Sequence, residues 1–252
     1  MSLETLKTKV GKLIEKAQSG GNTDELEAII DNSGVLDSTE GTVEEKVEVL
    51  IENKKLWDLV FKNNAEKQAI FYRFEGDTIP QLDYTKMVNF RYFANFSSIS
   101  HIDFYIDSAS SKEFKDAFAN TSNLKTMVGV NTSKATNVNG MFYKSAIEEI
   151  QEPLDLSSVI SDNNSLCIQY AQHLKEVRLV PETLRFSTTI GSEVLSAESI
   201  QSIIDGLAIV TTAKTLTLNA NLKILQSQVD SANAKGWTVA GGTVVSEEEY
   251  YG

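Results

Sequence analysis

Apolar residues in the first nineteen positions fall at Leu3, Leu6, Val10, Leu13 and Ala17, steps of three and four that keep one helical seam toward a partner. The spacing predicts a coiled-coil-like helix over 2–19, and these five residues as an oligomerisation or attachment seam, because so short a helix is marginal unless its seam is covered. Gly20 and Gly21 end it and make 20–22 a hinge. A short helical turn follows in DELEAII, packed by Leu26, Ile29 and Ile30. A second helix is predicted over 42–62, opened by a capping box of Thr42 and Glu45 and carrying Val43, Val47, Leu50, Trp57 and Phe61 near one face. Residues 1–62 thus read as a helical attachment segment, 63–79 as a connector, and 80–252 as one further domain.

From residue 80 the pattern changes from helical to recurrent. YFANFSSISHI, AFANTSNLKTM, MFYKSAIEEI and QYAQHLKEV each place an aromatic (Phe93, Phe118, Phe142, Tyr170) ahead of an apolar residue. A second apolar residue follows three positions later (Ile102, Met127, Ile150, Val177). The aromatics are separated by 25, 24 and 28 residues. Such a period is that of leucine-rich repeats, in which each unit of strand and turn buries its apolar side only against its neighbour. These eight residues are the predicted repeat core, with strands in HIDFYID, LKTMVGV, IEEIQEPLDL and LKEVRLV.

Beyond about residue 195 the repeat ends. LSAESIQSIIDGLAIV has the helical spacing Leu195, Ile200, Ile203, Ile204, Leu207 after the cap Ser196. KTLTLN reads as a strand, NLKILQSQVDSANAKG as a helix closed by Gly236, and WTVAGGTVV as a hairpin-like strand. The expected fold class is α+β: amino-terminal helices, an irregular leucine-rich-repeat solenoid, and an αβ carboxyl-terminal cap.

Charge narrows the partners. A net charge of −12 opposes a sequence-independent grip on nucleic acid, which needs Lys and Arg against phosphates. No run approaches eighteen apolar residues and no secretory pattern opens the chain, so neither membrane insertion nor signal-directed export is expected. The single cysteine, Cys167, has no second thiol for a disulfide or a paired metal motif and reads as a small buried side chain.

Asn137, Val138, Met141 and Phe142, and more loosely Ala117, Phe118, Asn120 and Leu124, resemble the NVxxMFxxCxxL pattern of BspA-like leucine-rich repeats in bacterial and bacteriophage surface proteins. Serine or threonine stands where that family has cysteine. The start, MSLETLKTKVGKLIEKAQSGG with GTVEEKVEVLIENK, and the end from LSAESIQSIIDGLAIV to AKGWTVA resemble the attachment and carboxyl-terminal segments of repeat-bearing tail and baseplate proteins of phages infecting Gram-positive bacteria. The resemblance implies a non-enzymatic virion protein: helices joining other virion proteins, a homo-oligomer, and a repeat domain presented to a host cell-wall glycan or surface protein. Release by lysis would then make a signal peptide unnecessary. The alternatives are a bacterial or prophage-encoded interaction protein outside any particle, and a cell-wall hydrolase.

No phosphate-cradling glycine motif, HExxH or GxSxG occurs, so no catalytic residue, cofactor or metal is expected. His101 and His173 sit at similar places in two units, which repeat geometry explains without a metal. Acid pairs such as Asp103 with Asp107 or Glu148 with Glu149 could flank a glycosidic bond, but read better as solvated. The Asn-x-Ser/Thr sites at Asn95, Asn120, Asn131 and Asn163 read as turn formers. Outward side chains of the predicted strands, Asp103, Tyr105, Asp107, Lys125, Glu149 and Arg178, are the candidate binding residues.

Overall fold

The computed structural model describes residues 70–79, 81, 83–85, 87–161 and 168–251. The predicted helices over 2–19 and 42–62, the seam from Leu3 to Ala17, and Cys167 lie outside them.

Strands form where β-branched and aromatic residues alternate with polar ones. β1 (His101–Ile106) buries Ile102, Phe104 and Ile106 and turns His101, Asp103 and Tyr105 outward. It pairs in parallel with β2 (Thr126–Val130), and β2 with the two-residue β3 (Glu149–Ile150). The register aligns Ile102, Met127 and Ile150 on the buried side. A second parallel sheet has the order β4 (Thr188–Ile190), β5 (Lys214–Leu225), β6 (Trp237–Val245). Three helices complete the described residues: α1 (Ala197–Gly206), α2 (Gln226–Ala234) and α3 (Glu247–Tyr251).

Between strands the chain makes consecutive tight turns whose backbone groups are satisfied in two directions. The amides of Phe93, Asn95 and Ser97 bond the carbonyl three residues back, whereas those of Phe90, Tyr92, Ala94 and Phe96 reach the carbonyls of Glu113, Lys115, Ala117 and Ala119 in the next segment. Phe114, Asp116, Phe118 and Asn120 do the same toward Asn137, Asn139, Met141 and Tyr143. A buried backbone donor needs such a partner as much in a turn as in a strand. This alternation requires left-handed residues, and they recur every 24 positions: Tyr92, Asp116 and Gly140 at φ 57°, 55° and 64°, then Phe96, Asn120 and Lys144 at 58°, 57° and 51°.

The expected fold class is therefore corrected. The described chain consists mostly of two small parallel sheets joined by turns, with three helices, all beyond Ser196, and no solenoid. Strand formation lapses between β3 and β4: Pro153 lacks an amide to donate, and between it and Thr188 the chain makes only isolated bridges, among them Leu154 to Leu179 and Leu184 to Leu207. Nor is the last strand hairpin-like. β6 runs parallel to β5, and a register break between Leu218 and Lys223 opposes Gly241 and Gly242, both at positive φ. A Cβ on Gly241 would come within 2.2 Å of the Leu218 carbonyl oxygen, so glycine is required at this corner.

The aromatic alignment shifts as well. Equivalent left-handed positions match Phe93 with Ala117 and Met141, and Ala94 with Phe118 and Phe142. Large and small residues trade places at two adjacent buried positions. Phe93, Phe118 and Phe142 are buried and in sequential ring contact, with centroids 6.0 and 5.6 Å apart. Tyr170, expected among them, is 40% exposed; Ala171 enters the core between Ile168 and Leu174, and Tyr170 rests edge-on against Tyr143 at 4.9 Å. A tyrosine hydroxyl in an apolar interior would need a partner.

The core continues from Phe71 to Trp237. Beside Val177 and Leu179, α1 stands where a neighbouring strand would pair. Its Ser199 and Ser202 hydroxyls accept the Val177 and Leu179 amides, each at 3.0 Å, and Ser196 caps its first turn by accepting from the Ser199 amide.

Candidate functional site

The outward face of β1–β2–β3 is built by alternation. Burying Ile102, Phe104 and Ile106 leaves Asp103, Tyr105 and Asp107 exposed, and burying Ile150 leaves Glu149 on the same outer side. Parallel register sets His101, Thr126 and Glu149 in one row, extended by a bridge from Glu149 to Glu176. Arg178 is exposed beyond, its carbonyl accepting the Leu154 amide at 2.9 Å.

Tyr105 is the centre of this face. It pairs with Gly129, and a Cβ there would stand 3.3 Å from the Tyr105 ring and 2.8 Å from the Glu152 Cβ. The missing side chain lets ring and sheet come together. Tyr105 is 44% exposed, and its hydroxyl is pushed above the ordinary tyrosine value, by burial first and then by Asp107, Glu152 and Asp155. Asp107, Asn131 and Asp155 form a column at the ends of their segments. Each side chain accepts the amide two residues on, at 3.3, 3.2 and 2.9 Å, and the Asn131 amide donates to Asp107 at 3.2 Å. An aromatic plate edged by fixed carboxylates and a carboxamide offers stacking together with multiple acceptors.

Lys125, immediately before β2, belongs to a different group. Its ammonium and that of Lys175 hold the two Glu148 oxygens at 2.8 and 2.7 Å. These bonds bring the Glu148 carboxyl down to about 2, Lys125 contributing most.

Asp77, Ser100 and His101 also meet. Ser100 Oγ lies 2.9 Å from His101 Nδ1 and donates to Asp77, whose other oxygen is 3.6 Å from the same Nδ1. In a nucleophilic triad the two ring nitrogens serve nucleophile and carboxylate separately; here one nitrogen faces both, and the group is exposed. Among the described residues no cluster of three His, Cys, Asp or Glu side chains could hold a metal ion, and no helix is long and apolar enough to cross a membrane.

Of the six predicted binding residues, Asp103, Tyr105, Asp107 and Glu149 share the sheet face, Arg178 lies past its last strand, and Lys125 is tied to Glu148. Asn131, Glu152 and Asp155 were missed. Stepping 24 residues from Asp107 reaches Asn131 and then Asp155, so the period held the signal; Glu152 required the pairing of Tyr105 with Gly129. Comparison of the chain with protein-family models, with curated proteins and with solved structures gave no match.

Proposed function

We propose that this chain is a non-enzymatic adhesion protein of a bacteriophage particle, in which the outer face of β1–β2–β3 engages a hydroxyl-rich ligand on the host surface. The observation that carries the reading is Tyr105 seated on Gly129 beside Asp107, Asn131 and Asp155: a ring held against the sheet with acceptors fixed at its edge. Rings stack on the apolar faces of sugars while carboxylates and amides take their hydroxyls, and prior ordering of these groups lowers the entropy cost of binding. The particle context rests on the resemblance of both chain ends to phage tail and baseplate segments. Several copies joined through residues 1–62 would raise weak single-site binding by effective concentration.

The test is co-sedimentation of the full chain with purified Gram-positive cell walls. Binding is expected, weakened by Tyr105→Ala with the fold retained, and without release of soluble wall fragments. Absence of binding sinks the adhesive reading, and fragment release replaces it with a hydrolase. Mass measurement of the intact chain and of a chain lacking residues 1–21 tests assembly; a monomer in both cases removes the multivalent mechanism.

A further inference from the structure

A second depression lies where three segments meet. Ser122, Lys144–Ala146 and Tyr170–His173 enclose an open pocket of about 370 Å³, lined by Ser122, Lys144, Ser145, Ala146, Tyr170, Gln172 and His173. That volume falls among small-ligand sites, which span about 300–1,000 Å³. We propose that it binds a sugar unit bearing an acidic group, a carboxylate or a phosphate.

The aromatic component is braced. Tyr170 stands edge-on to Tyr143 at 4.9 Å, and the Lys144 ammonium lies 5.3 Å from the Tyr143 ring centroid. Tyr143 thus steadies both the exposed ring and the cation. Tyr170 is outside the core, which Ala171 enters beside it, so its exposed area is available to a ligand. Gln172 and Ser122 add neutral hydrogen-bonding groups of the kind that sugar hydroxyls use.

The electrostatic component is local and opposite in sign to the chain. No carboxylate lines the pocket, although the protein carries −12 overall. The lining segments run on into Lys125, Glu148 and Lys175, where two ammonium groups hold one carboxylate. Across 122–125, 144–148 and 170–175 there are three lysines and one histidine against Glu148 alone. Glu149 and Glu176 follow one row further; the Glu176 carboxylate accepts from the Ser196 and Ser199 hydroxyls at 2.9 and 3.1 Å. Among the equivalent left-handed positions Phe96, Asn120 and Lys144, the cation stands at the one bordering the pocket. A neutral sugar would use the ring and amide but leave Lys144 unanswered; an inorganic anion would use Lys144 and leave the ring idle.

The inference is independent of the adhesive reading, since it concerns a soluble ligand and residues apart from Tyr105. Calorimetric titration of the full chain with glucuronate, glucose 1-phosphate, glucose and inorganic phosphate tests it. Both acidic sugars are expected to bind about tenfold more tightly than glucose or phosphate. Lys144→Gln should bring them down to the glucose level, Tyr170→Ala should weaken every sugar, and Tyr170→Phe should preserve binding, all with unchanged melting temperature. Failure of both acidic sugars to saturate overturns the proposal. So does phosphate binding as tightly as glucose 1-phosphate, or affinity indifferent to Lys144→Gln. Loss of wall binding in Tyr105→Ala with sugar binding intact separates the two sites.

Discussion

Phe118 and Phe142, 24 positions apart in the sequence, stack in the core with ring centroids 5.6 Å apart and planes inclined by 12°. Hydrogen bonding fixes the pair, since the Phe118 amide donates to the Met141 carbonyl at 2.9 Å. Truncating either ring leaves a cavity that the paired backbone cannot close. Phe118→Ala and Phe142→Ala are each expected to cost about 3–5 kcal/mol in denaturant unfolding. The double variant should cost less than the sum by about 0.5–1.5 kcal/mol, the share belonging to ring contact. Full additivity would remove the contact from the stability of the core.

A recurrence of 24 to 28 residues was legible, because burying aromatics at one level of successive segments needs apolar residues at a nearly constant offset; the constant step of 24 shows only in the left-handed residues. Register was less legible. FAN occurs at 93–95 and 118–120 and invites alignment by identity, yet the left-handed residues match Asn95 with Ala119 and Phe93 with Ala117. A buried pair of positions accepts phenylalanine then alanine, or alanine then phenylalanine, so identity alone misplaces the frame by one. The solenoid expectation failed on the same evidence: a regular period does not ensure a regular strand, and β3 holds two residues before Pro153 interrupts. Buried serine and threonine have a clear role in the turns. The hydroxyls of buried Ser97 and Thr121 bond the carbonyls of Ala94 and Phe118, at 2.7 and 2.8 Å, satisfying themselves within the turn.

At the candidate face, Gly129 is the residue that Tyr105 needs. Gly129→Ala is expected to displace the ring or the Glu152 backbone, costing about 1–3 kcal/mol from overpacking. NMR titration of ring-labelled tyrosine provides a second measure. The Tyr105 hydroxyl should titrate above the ordinary 10.0, and Glu152→Gln or Asp107→Asn should move it down by removing a negative charge that opposes ionisation. An unmoved titration in both variants would separate Tyr105 from its carboxylates and undo the assembled site.

Trp237 anchors the second sheet. Its indole Nε1 donates to the Ala208 carbonyl at 2.8 Å, and the residue is buried. Trp237→Phe keeps most apolar contact but leaves that carbonyl without the indole donor, at a cost of about 1–3 kcal/mol. In a Trp57→Phe background the remaining tryptophan should emit at short wavelength and shift to the red on unfolding. Emission at the solvent-exposed wavelength in the native protein would contradict its burial.

Glu148 gives the pH dependence with a definite sign. Its carboxyl titrates at about 2 in the folded protein against an ordinary 4.5, because Lys125 and Lys175 favour the charged form. A depressed folded value means that the stabilisation is present above the unfolded value and is lost as pH falls from about 4.5 toward 2. The clasp is on the surface, where salt screens it and ordering two lysines offsets part of the attraction. Glu148→Gln should therefore lower the denaturation midpoint slightly at pH 7 and low salt. The difference from the native chain should shrink below pH 4.5, vanish near pH 2, and shrink at high salt at any pH. A difference that persists unchanged at pH 2 would mean that Glu148 acts through packing and not through its two lysines.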